Sequence, residues 1–137
     1  MNLTKRPLVG LTMGDVAGIG PEVIARGWLL PRLHDLARPL VIGDPAVLKR
    51  ALALVSGHAP IRVQTVTEPE EADPSPQAIP CLAVAANLGD LSQVAPGIVD
   101  ARAGRAAHEF LTTAARLALI TRGQTPGVAG CRSMPRL

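Results

Sequence analysis

Gly14, Asp15, Gly18, Gly20, Pro21 and Glu22 crowd into the run LVGLTMGDVAGIGPE at positions 8–22. Glycines at that density let a backbone approach a ligand where a Cβ would stand in the way. Pro21 suits the first turn of a helix, with Gly20 as the residue before it. The apolar residues Leu8, Val9 and Leu11, with Thr12, suit a strand buried on both faces. The run therefore describes a strand ending at a helix N-terminus, the ligand-facing edge of an open α/β sheet. Its spacing excludes the common nucleotide motifs. The third glycine of a dinucleotide fingerprint is replaced by Val23, and no Gly-Lys-Ser/Thr follows for a P-loop. Asp15 and Glu22 put negative charge where a helix dipole would welcome phosphate. They favour hydroxyls, a ribose or a cationic neighbour over a bare pyrophosphate. A turn that merely joins strand to helix satisfies the same residues.

Other reactive side chains do not group. His34, His58 and His108 are far apart and form no HxxH or HExxH pair, so a local metal site is not expected and each reads as a surface or helix-face histidine. Ser56, Ser75, Ser92 and Ser133 lie in turn-like contexts without a Gly-x-Ser-x-Gly elbow. Cys81 reads as a buried strand thiol rather than a nucleophile. No catalytic residue and no metal ligand is assigned.

The elements around the glycine run alternate. A helix is expected from Pro21 to about Leu30, with Val23, Ile24, Gly27 and Trp28 on one side, and Pro31 limits its continuation. A second strand follows at Pro39 to Ile42. Asp44 and Pro45 then open a helix whose Leu48, Ala51, Leu52 and Val55 share a face and which Gly57 stops. Ile61, Val63 and Thr65 alternate with polar residues, as in a strand toward an edge. The acidic, proline-rich VTEPEEADPSPQAIP reads as a solvated loop, Cys81 to Val84 as a short strand, and Asn87 to Gly97 as turns. Asp100 caps a long helix reaching Ile120, with Ala107, Phe110, Leu111, Ala114 and Ala118 as its buried stripe. Arg102, Arg105, Glu109, Thr112 and Arg116 line the other side. Arg105 and Glu109 can pair, and Arg102 or Arg105 either faces an anion or is solvated. Residues 1–121 form one unit, and 122–137 an aperiodic Gly/Pro/Arg tail expected to be disordered.

Composition sets the class. With 47% hydrophobic and 18% charged residues among 137, the chain can bury a core, which the near absence of aromatics restricts to Ala, Val, Leu and Ile. Trp28 and Phe110 are the only aromatics of their kinds, and the +3 charge is spread out, so nucleic acid is not an expected partner. Cys81 and Cys131 are two distant cysteines without a CxxC partner, which reads as a reducing compartment. No apolar run is long enough for a membrane span or a signal-peptide core, so no membrane partner and a cytoplasmic location are expected.

The run MGDVAGIGPEVIARG resembles the opening of 4-hydroxythreonine-4-phosphate dehydrogenases, which reads close to T-M-G-D-P-A-G-I-G-P-E, with Val16 here in place of the proline. VIGDPAVL at 41–48 and ARAGRAAHEFLTTAARLAL at 101–119 extend the resemblance to roughly residues 5–120. It implies an isocitrate/isopropylmalate dehydrogenase-like α/β fold, present here as an incomplete β-α-β sheet with flanking helices. It implies a homodimeric enzyme of pyridoxal phosphate biosynthesis that oxidises a small phosphorylated hydroxy-amino acid with NAD or NADP before decarboxylation. A divalent metal (zinc, magnesium or cobalt) would polarise the alcohol. Relatives act on 4-phosphorylated threonate or erythronate, or on cis-dihydrodiols. Gly14, Asp15, Gly18, Gly20 and Glu22 would then shape the cofactor side of the cleft.

The family's T-A-P-x-x-K or T-G-P-x-x-K strand and its metal-ligand histidines do not follow the last helix. The chain is therefore expected to be a truncated, inactive portion, its tail from Thr121 the product of a frameshift, binding neither nucleotide nor metal by itself and prone to self-association. A noncatalytic remnant, an interaction module or a free-standing ligand-binding domain also fits these residues.

Overall fold

The computed structural model describes residues 6–55, 57, 60–84 and 87–120, so the readings made of His58, Cys131, Ser56, Ser133 and the tail lie outside the described residues. Four strands, β1 (Leu8–Thr12), β2 (Arg38–Gly43), β3 (Arg62–Val66) and β4 (Ala78–Ala83), form one parallel sheet in the order β1-β2-β4-β3. Four helices accompany them among the described residues: α1 (Gly20–Trp28), α2 (Pro31–Leu36), α3 (Pro45–Val55) and α4 (Ala101–Ile120). The expected α/β class, with a parallel sheet and flanking helices, is what the chain adopts.

The two central strands carry the apolar runs. β2 is buried from Pro39 to Gly43 and β4 from Ala78 to Leu82, as strands covered on both faces must be. β3 stands at an edge, as its alternation indicates. β1 corrects the expectation of a strand buried on both faces. Among the described residues it is the other edge, and Val9, Gly10 and Thr12 are exposed. An apolar run reports that a strand can be buried; neighbours decide whether it is.

The stretch read as a solvated loop is largely structural. It contains a 3-10 turn at Pro69–Glu71 and the first residues of β4, and it buries Ala72. Trp28 Nε1 donates to Ser75 O at 2.8 Å, and Arg38 donates to Ala72 O at 3.3 Å, so polar backbone that water would otherwise satisfy is held by the fold. Pro80 fits a central strand because pairing with β2 begins at Cys81, one residue later.

Helix faces shift by a residue or so from the expected ones. α1 buries Pro21, Ala25 and Trp28, while Val23 is exposed. Pro31, expected only as a limit, starts α2, whose His34 is buried rather than superficial: its Nε2 lies 2.9 Å from Trp28 O and its ring packs edge-on against Trp28. α3 begins as expected, with Asp44 Oδ1 accepting from Val47 N at 2.9 Å. α4 packs on β1 and β2 through Ala103, Ala106 and Phe110, with Ala114 and Leu117 partly buried. Leu111 and Ala118 are exposed, which corrects the expected stripe. Asp100 accepts from Arg102 N at 2.8 Å at its start.

Candidate functional site

Because the strands are parallel, their C-terminal ends open on one edge of the sheet, and the residues between β1 and α1 lie there. Met13 N donates to Ile42 O at 3.0 Å, continuing the β1–β2 ladder one residue past the strand. Gly14 then turns the chain at φ +70°, a conformation that L side chains rarely adopt. Asp15 folds back on its own loop: its Oδ1 accepts from Ala17 N at 2.8 Å and its carbonyl from Gly18 N at 3.0 Å. Gly20 passes so close to Met13 that a Cβ there would collide with the Met13 carbonyl oxygen.

The turn is anchored from below. Met13, Val16 and Ala17 are buried. Arg50 of α3 donates to Val16 O at 3.2 Å, Ser92 O at 3.0 Å and Val94 O at 2.9 Å, and Gly97 N donates to Ala17 O at 2.7 Å. A single guanidinium thus ties the turn to the segment before α4, whose Leu91 and Val94 are buried. Sequence reasoning missed Arg50. Its signal was a charged residue between Val47 and Ala51, beside an apolar stripe.

Asp15 and Ile19 remain exposed on the outer side of the turn. The helix is capped by Ile19 rather than Gly20, Pro21 stands second in it, and Glu22 lies in its first turn. Glu22 Oε2 is buried without a hydrogen-bond partner among the described residues. An acceptor left in that state meets a donor when one arrives. The structure therefore brings Gly14, Asp15, Gly18, Gly20 and Glu22 onto one turn and the helix it opens.

The remaining reactive groups stay apart. Burial, and then the Asp44 carboxylate, push the Cys81 thiol up to about 12, which makes it inert as a nucleophile. Arg102 is committed to Asp100, Nη2 to Oδ2 at 2.7 Å, and this hydrogen bonding holds the Asp100 carboxyl below its ordinary range, so the anion that Arg102 faces is its own cap. Arg105, His108 and Glu109 line an open depression of about 420 Å³ with Asn87, Leu88 and Gly104. Among the described residues no three His, Cys, Asp or Glu side chains gather as metal ligands. No described helix is long and apolar enough to cross a membrane.

No protein-family model matches the chain. It is 41% identical over 116 residues to the D-threonate 4-phosphate dehydrogenase of Bordetella bronchiseptica, a match covering 84% of this chain and 32% of that protein. It is 40% identical over 117 residues to the 4-hydroxythreonine-4-phosphate dehydrogenase of Desulfosudis oleivorans, covering 85% and 33%. A crystal structure of a 4-hydroxythreonine-4-phosphate dehydrogenase from Burkholderia phymatum superposes with a TM-score of 0.78 at 32% identity, over 85% of this chain and 34% of that one. The chain thus spans about a third of the length of the relatives it matches, and corresponds to their N-terminal portion.

Proposed function

We propose that this homologue of the N-terminal third of 4-hydroxythreonine-4-phosphate and D-threonate 4-phosphate dehydrogenases forms one wall of such an enzyme's cleft. The reaction is oxidation of the secondary alcohol of a phosphorylated, threonine-like acid, with decarboxylation following for phosphohydroxythreonine. The whole enzyme would be of the isocitrate/isopropylmalate dehydrogenase-like type, homodimeric and cytoplasmic. The observation that carries the reading is GDVAGIGPE, a run that resembles the opening motif of these dehydrogenases and that the fold fixes as an anchored turn at the carboxyl edge of the sheet.

An NAD(P) cofactor accepts the hydride when bound. This turn fits its ribose better than its phosphates: Gly14 and Gly18 keep the surface open, and the unpartnered Glu22 Oε2 and the exposed Asp15 carboxylate accept hydroxyl hydrogen bonds. A divalent metal does not fit the described residues, which gather no ligand set, so its ligands belong to chain outside them and no step here runs through it. By itself the chain orients and excludes, and turns nothing over.

A chimera tests this. Residues 6–120 replace the matching third of the B. bronchiseptica enzyme, and NADH formation is followed with D-threonate 4-phosphate and with 4-phosphohydroxy-L-threonine. NAD-dependent turnover of either is expected, with Glu22→Gln and Asp15→Asn raising KM for the nucleotide more than for the substrate. A chimera that melts cooperatively yet oxidises neither compound sinks the reading, as does metal-dependent turnover by the 137-residue chain alone.

A further inference from the structure

Arg50 stands between a braced part of the molecule and a pliable one. Its stem belongs to α3, next to the buried Ala51, on a helix that Asp44 caps. Its Nη1 donates to two carbonyls, Ser92 O at 3.0 Å and Val94 O at 2.9 Å. The segment that holds them is itself fixed: Leu91 and Val94 are buried, Leu91–Gln93 is a 3-10 turn, and Asp90 Oδ1 accepts from Ser92 N at 3.0 Å. Nη2 of Arg50 reaches the other way, to Val16 O at 3.2 Å. Val16 lies between Gly14, whose φ is +70°, and Gly18, and neither glycine has a side chain for packing to hold. A loop of that kind loses conformational entropy when a ligand closes on it, unless it is already kept in the receiving shape. A guanidinium suits that task, because its terminal nitrogens sit at a fixed separation and its charge strengthens the bonds to both sets of carbonyls. A lysine ammonium is a single point and does not span them.

We propose that Arg50 is a positioning residue, which holds the glycine turn in its ligand-receiving shape by fixing it against the braced segment before α4. It touches no ligand itself. The hold of the turn on a nucleotide ribose, and the aim of Glu22 in the first turn of α1, then depend on a side chain of α3. This role rests on the cleft-wall reading above and adds to it the group that sets the wall's affinity.

Arg50→Lys keeps the charge and most of the stem and removes the fork. In the chimera described above it should raise KM for NAD about tenfold or more, while kcat and KM for the phosphorylated acid stay within about twofold. Arg50→Ala should show the same split, and methylguanidinium added to the assay should reverse it. Ile79→Val, a buried change in β4 that lowers stability away from the turn, should move neither KM. In the 137-residue chain, Arg50→Lys should accelerate amide exchange at Gly18 and Gly97 and leave β2 and β4 unchanged. Equal losses in both KM values, an effect no larger than that of Ile79→Val, or an Arg50→Ala defect that methylguanidinium leaves in place overturns the proposal and leaves the cleft-wall reading standing. A chimera that melts cooperatively yet oxidises neither compound sinks that reading instead. Exchange at Gly18 then decides for Arg50: acceleration by Arg50→Lys supports the clamp, and unchanged exchange overturns it.

Discussion

The residues that matter most to the turn are those with least room to vary. Gly20→Ala forces the Met13 carbonyl and the start of α1 apart, and should destabilise the chain by roughly 2–4 kcal/mol, read as a lower urea midpoint at unchanged slope. Cys81 gives the molecule an alkaline limit. Its thiol is raised from 9.0 to about 12, so the folded state keeps a proton that the unfolded chain releases first. That contribution is complete below the unfolded value and is lost as pH climbs from 9 toward 12. The urea midpoint should fall over that interval, and Cys81→Val should flatten the fall; native Cys81 should also resist iodoacetamide at pH 8 and react once urea unfolds the chain. Residue types made the turn legible, because a glycine that must avoid a carbonyl leaves a glycine in the sequence. Burial of His34 was not legible, since its partner is a carbonyl, Trp28 O, which any residue would have supplied.

Elements were legible where a local signal stops or starts them. Asp44-Pro45 announced α3, and the cap is present, so Asp44→Ala should cost about 1 kcal/mol in chemical denaturation. α2 was missed because six residues carry too little periodicity to announce a helix, and its first proline also reads as the end of α1. The beginning of β4 was missed because the prolines around it, Pro74, Pro76 and Pro80, signal a loop, while Pro80 is admitted because pairing with β2 starts only at Cys81, opposite Val41. Tertiary ties of this kind leave no local mark, and Arg50 is the chief of them. Arg50→Leu frees three carbonyls and should cost on the order of 2–3 kcal/mol, with hydrogen exchange accelerating at Gly97 and Gly18 ahead of the sheet.

At the scale of the molecule, a well-filled centre sits inside a surface with many large apolar residues. Val23, Leu29, Leu30, Leu36, Leu54, Leu111, Leu119 and Ile120 are exposed, together with an edge of β1 that no strand among the described residues covers. Monomeric proteins seldom leave that much uncovered. Sedimentation should therefore show association that grows with concentration, and a monodisperse monomer at high concentration with a sharp cooperative melt would contradict this. The contact between Trp28 and its surroundings has an optical consequence. Trp28 is the chain's one tryptophan and tyrosine is absent, so near-ultraviolet emission comes from a single indole. That indole is buried, touches His34 of α2 and donates to Ser75 before β4. One wavelength scan thus reports whether α1, α2 and the approach to β4 are assembled, without a label and without interference from the turn at the opposite end of α1.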